Sequence, residues 1–175
     1  MEPVEIVTVD SPRAAVLRRR ARPVGKVTPE VRALIDAMIE TMRRANGVGL
    51  AAPQVGVSQR LFVAEVEERL HVVIDPQIVR MEGEEVGTEG CLSIPGIIAD
   101  VPRARRVVVR GKNRRGRGIT LEAEGLLARV IQHEVDHLDG VLFLDRVVDR
   151  STIREVGATA EVEPAESAAP APAGG

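Results

Sequence analysis

The tightest constraint on this chain is a short apolar segment that carries two histidines. Gly125 to Leu138 reads GLLARVIQHEVDHL, a helical stretch that Gly140 stops. Leu126 to Ile131 is apolar enough to bury the helix, and burial takes His133, Glu134 and His137 inside with it. Buried imidazoles need partners. His133 and His137 are four residues apart, so they share one helical face and can both point at one ion. Glu134 sits between them, where it would face a water on that ion. The plain alternative is a pair of solvated or core histidines. The chain has only three histidines, and two of them stand here.

Two imidazoles do not complete a catalytic metal site, which usually has three protein ligands and a water. The longer metalloprotease pattern places another histidine six residues after the second. That position is Phe143, which excludes this version. Two candidates remain open. A downstream glutamate would be Glu155, the first acidic residue of that type after the helix. The soft candidate is Cys91, in Glu89-Gly90-Cys91-Leu92-Ser93. A lone cysteine is usually a small buried hydrophobe. Here the neighbouring glycine and the lack of helical periodicity predict a loop or strand end that could approach a metal.

The rest of the chain reads as one domain with a tail. Thr28 followed by Pro29 is a helix start. Val31, Leu34, Ile35, Met38, Ile39 and Met42 follow at helical spacing, and Asn46-Gly47 ends the helix. Arg60–Val66 and Leu70–Ile74 read as strands, and Arg105–Arg110 with Ile119–Ala123 as a hairpin turning at Asn113–Gly116. Domain 1–150 is expected to be the folded unit, with 151–175 a polar tail. Gly157–Gly175 in particular is small, acidic and proline-rich and reads as disordered. The core must be aliphatic, since Phe62 and Phe143 are the only aromatics. That poverty removes stacking platforms for single-stranded nucleic acid, and a net charge of −2 supplies no overall basic field. With no apolar leader, no membrane span and one cysteine, a soluble cytoplasmic protein is expected.

A third segment is rich in glycine: Gly47-Val48-Gly49-Leu50-Ala51-Ala52-Pro53-Gln54. It is neither a dinucleotide fingerprint nor a phosphate loop, because neither motif's spacing is met. Alone it is a helix stop and a tight turn. Taken in order, GVGLAAPQ at 47–54, EGCLS at 89–93 and HEVDH at 133–137 resemble the peptide deformylase family, which carries GxGxAAxQ, EGCLS and HExDH segments in that order. The resemblance extends through Leu17-Arg18, Pro23-Val24, Ile94-Pro95, Val101-Pro102-Arg103 and Leu142-Phe143. The chain departs at its C-terminal end, where many relatives continue into a further helix linked with ribosome docking.

The resemblance implies an α+β fold, a mainly antiparallel sheet partly wrapped around a central metal-binding helix, with one N-terminal helix. It implies hydrolysis of the formyl group from N-formylmethionyl nascent polypeptides, with the ribosome a further partner. Cys91, His133 and His137 would hold one divalent ion, Fe²⁺ by family habit, with Zn²⁺, Ni²⁺ or Co²⁺ fitting the same ligands. Glu134 would act as the general base and then acid. Gln54 and the Leu92 backbone N–H would meet the developing oxyanion. Gly49 would offer its backbone to the peptide. Val48, Leu126 and Val130 would line the methionine pocket, and Arg103 would stand at its rim.

Overall fold

The structure is a computed structural model that describes residues 3–156. In chain order the elements are α1 (Pro29–Arg44), β1 (Gly49–Ala51), β2 (Leu61–Val66), β3 (Arg69–Glu82), β4 (Glu85–Cys91), β5 (Ile94–Arg103), β6 (Arg106–Lys112), β7 (Gly118–Glu124), α2 (Gly125–Leu138) and β8 (Arg154–Glu155). Short 3-10 turns punctuate them, one of them at Ala52–Val55. The strands form two antiparallel sheets, ordered β1-β2-β3-β6-β7 and β4-β5-β8. The α+β class expected from the sequence is the one observed.

Helix α1 begins as its cap predicts: the Thr28 hydroxyl accepts a hydrogen bond from the Val31 N–H at 3.2 Å, and Pro29 fills the first turn. Its apolar stripe, Ile35, Met38 and Met42, packs on Leu50, Leu61, Val63 and Ile74. Helix α2 covers the opposite face of the same sheet. Ala128, Val130 and Ile131 pack there with Phe62, Ala64, Val73, Val107 and Val109. Successive residues of β2 therefore point into different clusters, so the strand reads as a continuous apolar run. A third cluster, with Leu17, Ile94, Val101, Leu142 and Phe143, lies against the second sheet and takes in Cys91.

The structure departs from the sequence reading in two strand regions, β3 and the β4–β5 hairpin. Strand β3 does not end at Ile74. Asp75-Pro76 marks a register shift, with Asp75 at φ 53°, after which the strand leaves β2 and pairs with β6. Proline removes a ladder donor, and a bulge is where a sheet tolerates one. Strands β4 and β5 were not anticipated as a hairpin, because Gly87, Gly90, Pro95, Gly96 and Pro102 break the apolar pattern. Past the boundary expected at 150, β8 pairs with Ile97 and Ile98 of β5. The segment Gly157–Gly175, read as a disordered tail, lies outside the described residues. Among the described residues, no helix is long and apolar enough to cross a membrane.

Candidate metal centre

The centre is built where α2 meets the tip of the β4–β5 hairpin. Cys91 and Ile94 pair across a two-residue turn, Leu92-Ser93, just past a register shift at Gly90. This is the strand end predicted for the cysteine. The ligand atoms of Cys91, His133 and His137 all lie within 4.8 Å of one another, and all three residues are buried. Cys91 Sγ is 3.3 Å from His137 Nε2. The imidazoles sit with centroids 5.0 Å apart at 63°, and Phe143 stacks on His133 at 6.0 Å. The residue that rules out a third histidine thus packs against the first.

Tautomer and charge follow from the neighbours. Glu89 is fully buried. Burial alone would raise its pKa, but hydrogen bonds and charge from Arg103 and His133 hold it well below the ordinary carboxylate range. An ionised carboxylate can only accept. His133 Nδ1, 2.9 Å from Glu89 Oε1, therefore donates to it, which leaves Nε2 as the nitrogen available to an ion. Burial, then the proximity of His133 and Arg103, lowers the pKa of His137 well below the usual histidine value. Its imidazole is neutral, the form that ligates. His137 Nδ1 is buried with no hydrogen-bond partner among the described residues. A soft sulfur and two imidazoles, all desolvated, fit a divalent metal ion.

The remaining predicted residues gather here with one exception. Gly49, on edge strand β1, runs against Glu134: a Cβ at residue 49 would lie 2.5 Å from Glu134 Oε2 and 2.9 Å from Val130 Cγ1. Only a glycine permits that approach. Gln54 has its orientation fixed, since its Oε1 accepts the Ala51 N–H at 3.0 Å. Its Nε2 then faces Ser93 Oγ at 3.1 Å and Cys91 Sγ at 3.6 Å. Leu92 follows Cys91 in the turn. Val48 and Leu126 are half-buried beside Val130 in one cluster. Arg103 is the exception. Its guanidinium is buried, forked onto Glu89 at 2.8 and 2.9 Å and bonded to Asp136 at 2.6 Å. A carboxylate in the helix and one in the strand outcompete solvent for it. Glu155, the alternative third ligand, is exposed on β8 and outside the ligand group.

Sequence reasoning missed the shell behind the ligands. Glu89 also accepts from Arg129 Nη1 at 2.7 Å, and Asp136 is held by Arg146 at 2.8 and 3.0 Å. The signals were present: a glutamate two positions before the soft ligand, and an arginine inside an apolar run.

The comparisons with known proteins agree with this geometry. Residues 3–152 match the family model described as polypeptide deformylase. A peptide deformylase of Symbiobacterium thermophilum is 50% identical over 147 residues, spanning 82% of this chain and 68% of the relative. The crystal structure of a peptide deformylase from Synechococcus elongatus in complex with actinonin superposes with a TM-score of 0.81 at 46% identity, covering 87% of this chain and 82% of that one. That of Thermotoga maritima gives 0.81 at 45%, covering 85% and 100%.

Proposed function

Because this chain belongs to the polypeptide deformylase family, whose activity is removal of the formyl group from N-formylmethionyl polypeptides, we propose that Cys91, His133 and His137 hold one divalent ion at the centre of that reaction. The supporting observation is a thiol and two imidazoles buried together with Glu134. When bound, the ion supplies Lewis acidity, making a water acidic near neutral pH and polarising the formyl oxygen. Ferrous iron is the ion proposed, with zinc, nickel or cobalt able to use the same donors.

The protein's own groups do the rest. Glu134 takes the proton from the attacking water and returns it to the leaving amine nitrogen. Gln54 Nε2, its amide locked by Ala51, and the Leu92 N–H stabilise negative charge on the formyl oxygen. The substrate peptide lies extended along β1, which ends its sheet, with Gly49 offering its backbone. Val48, Leu126 and Val130 surround the methionine side chain. Formate and a free N-terminus leave. The substrate's origin puts the enzyme in the cytoplasm, near the ribosome. The test is formate release from a formyl-Met peptide by protein loaded anaerobically with Fe²⁺. A fully loaded, folded enzyme that releases none overturns the reading.

A further inference from the structure

The metal ligands come from two separate elements. The imidazoles ride on α2 and the sulfur on the tip of the β4–β5 hairpin. Their spacing depends on what fixes the hairpin to the helix. The bonds of Arg103 to Asp136 and of Glu89 to His133 each cross that junction, and Arg129 crosses it to both strands at once. Arg129 sits one helical turn before His133, so both project from the same face of α2. Its Nη1 donates to Glu89 Oε2 at 2.7 Å and to the Val101 carbonyl at 2.8 Å, and its Nη2 donates to the Glu85 carbonyl at 2.9 Å. These acceptors lie on both strands of the hairpin. Beneath the guanidinium is the register pair Gly87–Val101. A Cβ on Gly87 would stand 2.9 Å from Arg129 Cζ, so glycine makes the room the arginine occupies.

Glu89 shows how this reaches the metal. Its Oε2 accepts from Arg103 Nε and Arg129 Nη1, and its Oε1 from Arg103 Nη2 and His133 Nδ1. Four donors fill the roughly four acceptor sites of a carboxylate. The group that orients His133 cannot rotate without breaking a bond.

We propose that Arg129 is a positioning residue for the metal centre, stapling α2 to the β4–β5 hairpin so that Cys91 and the two histidines are held at ligating distance before the ion arrives. The inference rests on the metal reading above. It assigns Arg129 a role in metal affinity rather than in the chemical step. Lysine cannot replace it, because a single ammonium lacks the planar fork that reaches three acceptors.

The test is zinc affinity by competition with a chromophoric chelator, alongside the spectrum of the cobalt-loaded protein and the melting temperature of the metal-free chain. Arg129→Met should weaken zinc binding by about 10- to 100-fold, the scale of lost outer-shell support, and shift the thiolate-to-cobalt band. Arg129→Lys should fall between it and the parent. Gly87→Ala, which leaves every hydrogen-bonding group in place but crowds the guanidinium, should lower affinity in the same direction by a few-fold. Arg43→Met, which breaks an exposed pair with Glu65, should leave affinity unchanged. A purely structural role predicts a lower melting temperature with parental affinity and cobalt spectrum in the folded protein. That outcome in Arg129→Lys and Gly87→Ala overturns the proposal even if Arg129→Met fails to fold. A parent chain that holds no metal overturns the underlying reading instead, so the two failures are distinct.

Discussion

Glu134 lies between two ligands and against a bare backbone, and its neighbours define what can be changed around it. Glu134→Gln keeps size and removes the base. It should retain full metal and lose about 10²-fold or more in turnover, the usual scale for a lost general base. Metal analysis beside formate release checks this, and near-normal turnover would refute the role. Gly49→Ala tests the same group from the other side. The added methyl meets Glu134 Oε2 at 2.5 Å and Val130 Cγ1 at 2.9 Å, so something must shift. Overpacking of this kind costs about 1–3 kcal/mol, and displacing the base should cut kcat as well. Unchanged kcat would show that Glu134 tolerates the move. For Cys91→Ser, a harder and mostly protonated hydroxyl replaces the soft ligand, so metal content after dialysis should collapse together with activity. Stoichiometric metal in that variant would remove Cys91 from the ligand set.

At the level of elements, the two helices were legible and one hairpin was not. Thr28-Pro29 and the 3.6-residue apolar stripe locate α1, and the apolar run with Gly140 beyond it locates α2, because caps and periodicity are local properties. The β4–β5 hairpin carries the sulfur ligand, yet its glycines and prolines hide it. They are there for reasons visible only in three dimensions, as Gly87 shows by giving way to Arg129. Likewise Leu126 to Ile131 read as apolar enough to bury α2, with no role seen for Arg129, which is buried and bonded to two strands. The purely apolar part of α2 should behave as core. Ile131, fully buried, should cost about 2–5 kcal/mol when cut to alanine, read as a fall in denaturant midpoint. Zinc affinity of the folded protein should stay near parental, and a loss as large as that of Arg129→Met would erase the distinction between packing and positioning.

Across the whole molecule, three separated motifs point to the buried Cys91, His133 and His137 that fit a metal ion, while the ion-pair network behind them needed the tertiary fold. Arg103 belongs to that network: Glu89 and Asp136 hold its guanidinium, which the motif alone did not reveal. The same network makes stability depend on pH. His137 has a depressed pKa when folded, so below about pH 6.5 the unfolded chain binds a proton that the native chain refuses. Its contribution is complete above that value and is lost as pH falls, at up to about 1.4 kcal/mol per pH unit. Glu89, also depressed, adds a second loss that begins below the ordinary carboxylate range. The metal-free protein should therefore weaken between pH 7.5 and 5.5. Denaturant midpoints across that range provide the measurement, and a flat profile would contradict a buried neutral His137.

A sheet that ends in β1 leaves backbone donors and acceptors for any extended chain to use, including a neighbouring copy of the same protein. The strand spans only Gly49–Ala51, and all three residues are buried. A stray strand would find room for only a few ladder bonds there, too few to hold two molecules together without other contacts. On the proposed reading, a formylated peptide would gain what a stray strand lacks, an end group that reaches the metal site. So short an edge offers a neighbouring copy little to pair with.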